Sequence, residues 1–222
     1  MRVLVTRPQP GADATARRLS ALGHEPVVLP LTRTEPLDAL IPGGPFDAVA
    51  FTSAAAARYF PASPAEALAG VPVLAVGEAT ERAARDAGFR DVSAAEGGAA
   101  ALAQLAVRRL AIGARVLYAA GKVRTGGLDA ALSAAGFAVD LVEVYDTVDV
   151  DAVAMPPAID AAMVHSAKGA QALSRIAGNY DGHVLCISAR AAEGLAPRLR
   201  ARALIAARPE DAAMLAMLDR GG

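Results

Sequence analysis

Phe46-Asp47-Ala48-Val49-Ala50-Phe51-Thr52-Ser53 returns 113 positions later as Ile159-Asp160-Ala161-Ala162-Met163-Val164-His165-Ser166. Each stretch is a short apolar run with no polar alternation, the pattern of a strand buried on both faces of a parallel sheet. Each closes on Ser, an ordinary helix N-cap, so both read as strand, turn, helix. Other pairs keep the same order and nearly the same offset. Val3-Leu4-Val5 matches Val116-Leu117-Tyr118, and Ala21-Leu22-Gly23-His24 matches Ala134-Ala135-Gly136-Phe137, both at 113. Val73-Leu74-Ala75-Val76 matches Val184-Leu185-Cys186-Ile187 at 111. Apolar runs resemble one another singly, so the common order and offset carry the argument. The chain reads as an internal duplication of about 110 residues per copy.

Outward from these runs, strands alternate with helices. Strands are expected at Val3–Thr6, Pro26–Leu31, Ala48–Thr52, Pro72–Val76 and Asp91–Ala94. Helices are expected at Gly11–Leu22, from Ala54 toward Phe60, at Glu78–Ala87 and at Ala99–Leu110, and the second copy repeats the plan. Such alternation builds parallel sheets with helices on both faces. Two copies give ten strands, five per sheet. Leu31–Leu37 and Glu143–Val148 are extended, polar-alternating segments at matching places in the copies. They read as two crossings between domains, paired as a ribbon over 31–37 and 143–149. One α/β domain is then 38–142, and the other is discontinuous, 1–30 plus 150–222. The working surface is expected in the cleft between the two.

Composition narrows the function classes. Of 222 residues 54% are hydrophobic, which excludes disorder. No apolar run approaches the roughly 20 residues of a membrane span. Val3-Leu4-Val5 is too short for a signal-peptide core, so a cytoplasmic location is expected. The net charge of -1 argues against a nucleic-acid partner. Arg198, Arg200 and Arg202 read as a solvated helix end or edge strand. Cys186 is the single cysteine and reads as a small core residue, with no disulfide framework. His24, His165 and His183 have no metal-ligand spacing, so no metal is expected. Abundant Ala and absent Trp carry no functional reading.

Ligands of parallel α/β sheets bind at the carboxyl ends of strands. The residues there are Thr6 and Arg7, Ser53, Gly77 with Thr80, Gly121 with Lys122, Ser166 with Lys168, and Ser188 with Arg190. Helix starts with free N–H groups suit anions, carboxylates included. Plain capping explains each Ser or Thr equally well. The ligand reading rests on the number of such sites on one rim, with Arg7, Lys122, Arg124, Lys168 and Arg190 nearby. Ala119–Gly127 looks like a phosphate loop but fails the Walker pattern, because Val116 stands where Gly is required and Val123 follows Lys122. A basic loop for an acidic ligand and a plain surface turn both remain open for it. There is no Gly-x-Gly-x-x-Gly after a strand and no Gly-x-Ser-x-Gly elbow, so neither a dinucleotide nor a serine-hydrolase site is supported. Tyr145 lies in a proposed crossing, where a phenol can donate a hydrogen bond or a proton. A half-buried strand Tyr fits the same spacing.

The ordered set of motifs resembles the uroporphyrinogen-III synthase family over essentially the whole chain. Its carriers are Val3–Pro8, Gly23–Leu31, Asp47–Ser53, Val76-Gly77-Glu78-Ala79-Thr80, Ala135-Gly136-Phe137, Val144-Tyr145-Asp146-Thr147 and the Ser166 and Ser188 turns. The resemblance implies two flavodoxin-like parallel-sheet domains joined by a two-stranded antiparallel ribbon. It implies closure of hydroxymethylbilane, a linear tetrapyrrole rich in carboxylates, to uroporphyrinogen III with inversion of ring D and loss of water. No cofactor or metal is implied, and a monomer with no nucleic-acid or membrane partner is expected. By the same resemblance Tyr145 assists loss of the hydroxyl, and Ser53, Thr80 and Ser166 match binding positions. Ala54 and Ala167 stand where relatives often carry Pro, and the Ser188–Ala191 turn lacks the Gly-Pro-Thr-like pattern of many relatives.

Two other classes compete. A non-catalytic two-lobed protein for a small anionic ligand would share the plan, and a secretion signal would favour it. A nucleotide-sugar transferase would need a nucleotide site, and the sequence shows none of its signatures.

Overall fold

The computed structural model of the chain describes residues 1–124 and 126–218. The amino-terminal segment forms β1 (Arg2–Val5), α1 (Gly11–Ala21), β2 (Glu25–Val28) and β3 (Thr32–Pro36). The middle forms β4 (Ala48–Phe51), α2 (Ala54–Arg58), α3 (Ala62–Ala67), β5 (Val73–Val76), α4 (Glu78–Asp86), β6 (Val92–Ala95) and α5 (Ala99–Arg109). It continues with β7 (Arg115–Gly121), α6 (Leu128–Ala134) and the long β8 (Ala138–Asp149). The remainder forms β9 (Ala161–Val164), α7 (Ala167–Ile176), β10 (His183–Cys186), α8 (Ala189–Glu193), α9 (Pro197–Arg200), β11 (Ala203–Ile205) and α10 (Asp211–Leu215).

These elements divide into two compact units, Met1–Thr34 with Val148 onward, and Glu35–Thr147. The first unit holds a five-stranded sheet in the order β11-β10-β9-β1-β2. The second holds a six-stranded sheet, β3-β8-β7-β4-β5-β6. The sheets thus carry eleven strands among the described residues, not the ten expected. The extra strand is β3, which lies beside β8. The Leu37 N–H donates to Val144 O and the Val150 N–H to Leu31 O, both at 3.0 Å, so the numbering runs in opposite senses and the pairing is antiparallel. The other strand pairs of the two sheets, among the described residues, are parallel.

Strand register carries the duplication. Val49 of β4 pairs with Val73 and Leu117, and Ala162 of β9 pairs with Val184 and Leu4. Val73 pairs with Val92 as Val184 pairs with Ala203, and Val116 pairs with Val139 as Val3 pairs with Pro26. The offsets of 113 and 111 seen in the sequence therefore connect residues at the same place in the two sheets.

Burial explains why these runs form central strands. Val3, Leu4 and Val5, the whole of β4 and the whole of β9 have no exposed surface. Burying a Val or Leu side chain contributes about 1.5–3 kcal/mol, which a continuous apolar run collects from both faces of the sheet. In the second unit one face packs Phe51, Phe60 and Phe89 edge to face, with centroids 5.6–5.7 Å apart. The opposite face packs Leu74, Leu102, Val116 and Leu132. In the first unit Leu4, Val164 and Leu173 lie on one side, and Val5, Leu19 and Met163 on the other. Helix α1 buries Ala12, Thr15 and Leu19, spaced three and four apart, as an amphipathic helix does. The abundant Ala has a packing role after all: Ala56 and Ala57 of α2 and Ala83 and Ala84 of α4 are buried in one cluster.

Cys186 is buried, and burial pushes its thiol up to about 11. The arginines after Pro197 end on carbonyl oxygens. Arg198 donates to Gly178 O, Arg200 to Glu193 O and Leu195 O, and Arg202 to Asp181 O. They tie loop carbonyls at the surface. No helix among the described residues is long and apolar enough to cross a membrane.

Candidate active site

In the second unit the residues after β4, at the end of β7 and near the end of β8 come together. The Ser53 Oγ accepts the Ala56 N–H at 3.1 Å, so Ser53 is the N-cap of α2. The same Oγ lies 3.0 Å from the Tyr145 Oη. Gly121 ends β7 and pairs with Tyr145, while its neighbour Ala120 pairs with Glu143. That register shift between Ala120 and Gly121 is a bulge, a device that re-aims a side chain next to a site. A Cβ on Gly121 would fall 2.6 Å from the Tyr145 Cζ, so the Tyr ring occupies the space that a side chain would need. The Tyr59 ring stands 6.1 Å from the Tyr145 ring, tilted by 33°.

A second phenol borders this group. The Tyr118 Oη lies 3.1 Å from the Thr52 Oγ1. Burial pushes the Tyr118 phenol above its ordinary value, against the opposing pull of the Thr52 hydrogen bond and the Arg124 charge. The loop cations face carboxylates on β8. Arg124 Nη1 is 2.6 Å from Glu143 Oε1, and Lys122 Nζ is 3.6 Å from Asp146 Oδ2. Thr125 of the same loop lies outside the described residues. Gly77 precedes α4 with φ of +73°, a conformation that favours Gly over the Ser found at the equivalent place, Ser188. Thr80 is buried within α4.

The first unit presents the equivalent rim. Ser166 caps α7 by accepting the Gly169 N–H at 3.0 Å, and Ser188 caps α8 by accepting the Ala191 N–H at 3.2 Å. Lys168 lies in the first turn of α7 and Arg190 in that of α8, with Arg190 exposed. Thr6 is buried, and its hydroxyl donates to Met163 O at 2.7 Å, joining β1 to β9. Arg7 is held by Asp211 at 2.9 and 3.1 Å.

Asp211 is the centre of a network that spacing in the sequence did not reveal. Besides Arg7 it accepts from the Thr15 hydroxyl at 2.8 Å and from Arg18 at 3.3 Å, and it lies 2.9 Å from the His165 Nε2. Burial alone would raise the Asp211 carboxyl, but the His165 hydrogen bond, the Arg7 charge and the Thr15 hydroxyl hold it well below the usual carboxylate range. Burial pushes the His165 imidazole down, helped by the Arg7 charge and opposed by Asp211. The His165 Nδ1 is buried without a hydrogen-bond partner, as suits a neutral ring whose proton sits on Nε2. The signal was present in part: His165 occupies the place of Thr52 in the other copy, directly before a capping Ser.

The described residues hold no cluster of three or more His, Cys, Asp or Glu able to bind a metal ion. The site's resources are hydroxyls, phenols and cations balanced by nearby carboxylates. That set can bind carboxylates and deliver a proton.

No curated protein matches the sequence. Among solved structures the chain is similar to the uroporphyrinogen-III synthetase from Helicobacter pylori, at 18% identity and a TM-score of 0.65, covering 99% of each chain. It is also similar to a mutant uroporphyrinogen III synthase from the extremely thermophilic bacterium Thermus thermophilus, at 17% identity and a TM-score of 0.55, covering 99% of this chain and 98% of that one. At such identities the likeness is one of fold. A family model described as uroporphyrinogen-III synthase HemD matches residues 13–216, and the chain belongs to that family.

Proposed function

We propose that the chain closes hydroxymethylbilane to uroporphyrinogen III with inversion of ring D and loss of water, as a uroporphyrinogen-III synthase of tetrapyrrole biosynthesis. The family match over residues 13–216 carries this reading. The reading includes a cytoplasmic monomer of two flavodoxin-like units with β3 and β8 as the connecting ribbon. Its support is that the unit boundaries, after Thr34 and after Thr147, fall inside those two strands.

Tyr145 is the residue we assign to departure of the hydroxyl. Its phenolic hydrogen passes to the substrate hydroxyl oxygen, and the C–O bond breaks with its electron pair on that oxygen. Water leaves, and the pyrrole nitrogen pair forms the exocyclic double bond of an azafulvenium. Ring D attacks through its substituted α-carbon and forms a new C–C bond there; the older bond from that carbon to its bridging methylene breaks, the methylene rejoins at the free α-carbon of ring D, and the proton this carbon loses returns to the phenolate. The reactive electrons belong to the substrate, which is why the protein needs no covalent nucleophile. Its larger task is to hold the geometry in which ring D inverts.

Ser166, Ser188, Lys168, Arg190, Lys122 and Arg124 are assigned to the substrate's carboxylates. Capping uses one lone pair of a Ser hydroxyl and leaves its hydrogen to donate, so Ser166 and Ser188 can serve both purposes. Lys168 and Arg190 stand in the adjoining helix turns. Lys122 and Arg124 make partly exposed ion pairs, worth little in water, and a substrate carboxylate can replace Asp146 or Glu143 at small cost. Gly77 leaves open space beside that rim. Thr6, Thr80 and Arg7 act one step back, through the buried or paired positions they occupy.

The test is the product. Free hydroxymethylbilane closes unaided to isomer I, so consumption of substrate is not informative. Purified protein with nothing added is expected to give isomer III in excess, resolved by chromatography of the oxidised products. A tenfold bias needs only about 1.4 kcal/mol of differential transition-state stabilisation. A chelator should leave the ratio unchanged. If folded protein gives the same isomer I excess as buffer, the synthase reading is wrong and the two-lobed binding-protein reading replaces it.

A further inference from the structure

We infer that Ser53 is a positioning residue acting through Tyr145, and that Gly121 is the seat of the Tyr145 ring, so that neither serves mainly as a substrate contact. The inference rests on the synthase reading and refines the work of that site.

A Ser hydroxyl has one hydrogen and two lone pairs. The Ala56 N–H takes one lone pair of Ser53, leaving the hydrogen and one lone pair for the Tyr145 Oη 3.0 Å away. When Ser53 donates, the phenolic hydrogen is free to point at the departing hydroxyl. The phenolate left after transfer keeps a hydrogen-bond donor on its oxygen. A hydroxyl so engaged has no second hydrogen for a substrate carboxylate, which separates Ser53 from Ser166 and Ser188.

Gly121 supplies the other half of the arrangement. It has no left-handed backbone, so conformational freedom is not the reason for Gly here. Space is the reason: an added Cβ would sit 2.6 Å from Cζ, 2.8 Å from Oη and 2.9 Å from Cε2 of Tyr145. The phenol end of the ring, the part that carries the chemistry, is what it would displace. The bulge opposite Ala120 brings Tyr145 onto Gly121, and Ser53 fixes the oxygen at the far side of the hydrogen bond.

The experiment measures kcat and KM for isomer III formation in wild type, Ser53→Ala, Ser53→Thr, Ser53→Asp, Gly121→Ala, Tyr145→Phe and the double variant Ser53→Ala with Tyr145→Phe, with far-UV circular dichroism to check folding. Ser53→Ala is expected to lower kcat about tenfold with KM within about twofold, the pattern of an interaction made in the transition state. Ser53→Thr restores most of the rate. Ser53→Asp keeps the cap, since Asp is a strong N-cap, but an ionised carboxylate cannot donate to the phenol. It should lose kcat as Ser53→Ala does, and it serves in place of that variant if the latter does not fold. Gly121→Ala should also lose kcat. In the Tyr145→Phe background, Ser53→Ala should change kcat less than about twofold, because groups acting as a unit are not additive. Multiplying losses, a loss carried by KM, or a fully active Gly121→Ala would overturn the inference while isomer III in wild type keeps the synthase reading. An isomer I excess in wild type would remove both.

Discussion

Tyr145→Phe is expected to lower kcat for isomer III formation about 10²-fold, at the low end of the 10²–10⁴ that a positioned general acid supplies. The low end applies because Tyr145 is only half-buried, so solvent water can deliver a proton in its place. The fold should survive. Phe keeps the ring over Gly121 and beside Tyr59, and the lost hydrogen bond to Ser53 is worth about 0.5–1.5 kcal/mol. The product ratio should move as well as the rate. Spontaneous closure to isomer I continues at its own pace, so a slowed enzyme loses ground to it and isomer I rises at equal conversion. Saturating-substrate kinetics with product separation checks both. A folded variant with unchanged kcat would remove Tyr145 from the mechanism.

What the sequence made legible was whatever rests on burial and local geometry. The runs at Val3, Ala48, Val116 and Ala161 are apolar on both faces and became the central strands, with their offsets preserved as sheet register. Ser53, Ser166 and Ser188 stood where strand meets helix, and each caps one. Helix α3 was not anticipated: it is only six residues long, with Pro61 at its N-cap and Pro64 in its first turn, where Pro is tolerated. Contacts distant in sequence were the least visible. Gly121 looked like part of a loop for anions, and its role as a seat depends on a bulge in a strand more than 20 positions away. Arg7 was nominated as an anion contact, but its partner is Asp211, on a short carboxyl-terminal helix that no motif marks. Charge alone could not tell a cation waiting for a substrate from one already satisfied.

Asp211→Ala is expected to cost about 3 kcal/mol at pH 7, more than any surface ion pair would suggest. The donors it leaves behind differ. Arg18 is 58% exposed and recovers water, so its loss is small. Thr15 is fully buried and the His165 side chain is 8% exposed, so both lose a partner that water cannot replace. For a chain of this length the melting temperature should fall by about 6–12 °C. Acid should shrink the difference. The folded Asp211 carboxyl is depressed below its unfolded value of about 3.9, so its stabilisation is present above that pH and is lost as the pH falls toward the folded value. His165 is depressed too, from about 6.5, so keeping it neutral costs stability as the pH drops below that point, in wild type and variant alike. Wild type should therefore weaken in two stages, the first below about pH 6.5 and the second below about pH 4. The variant should keep the first and lack the second. Thermal unfolding of both proteins at pH 7, 5 and 3 checks this. A gap that stays constant through pH 3, or a variant as stable as wild type at pH 7, would show that Asp211 is not the electrostatic centre its four partners make it.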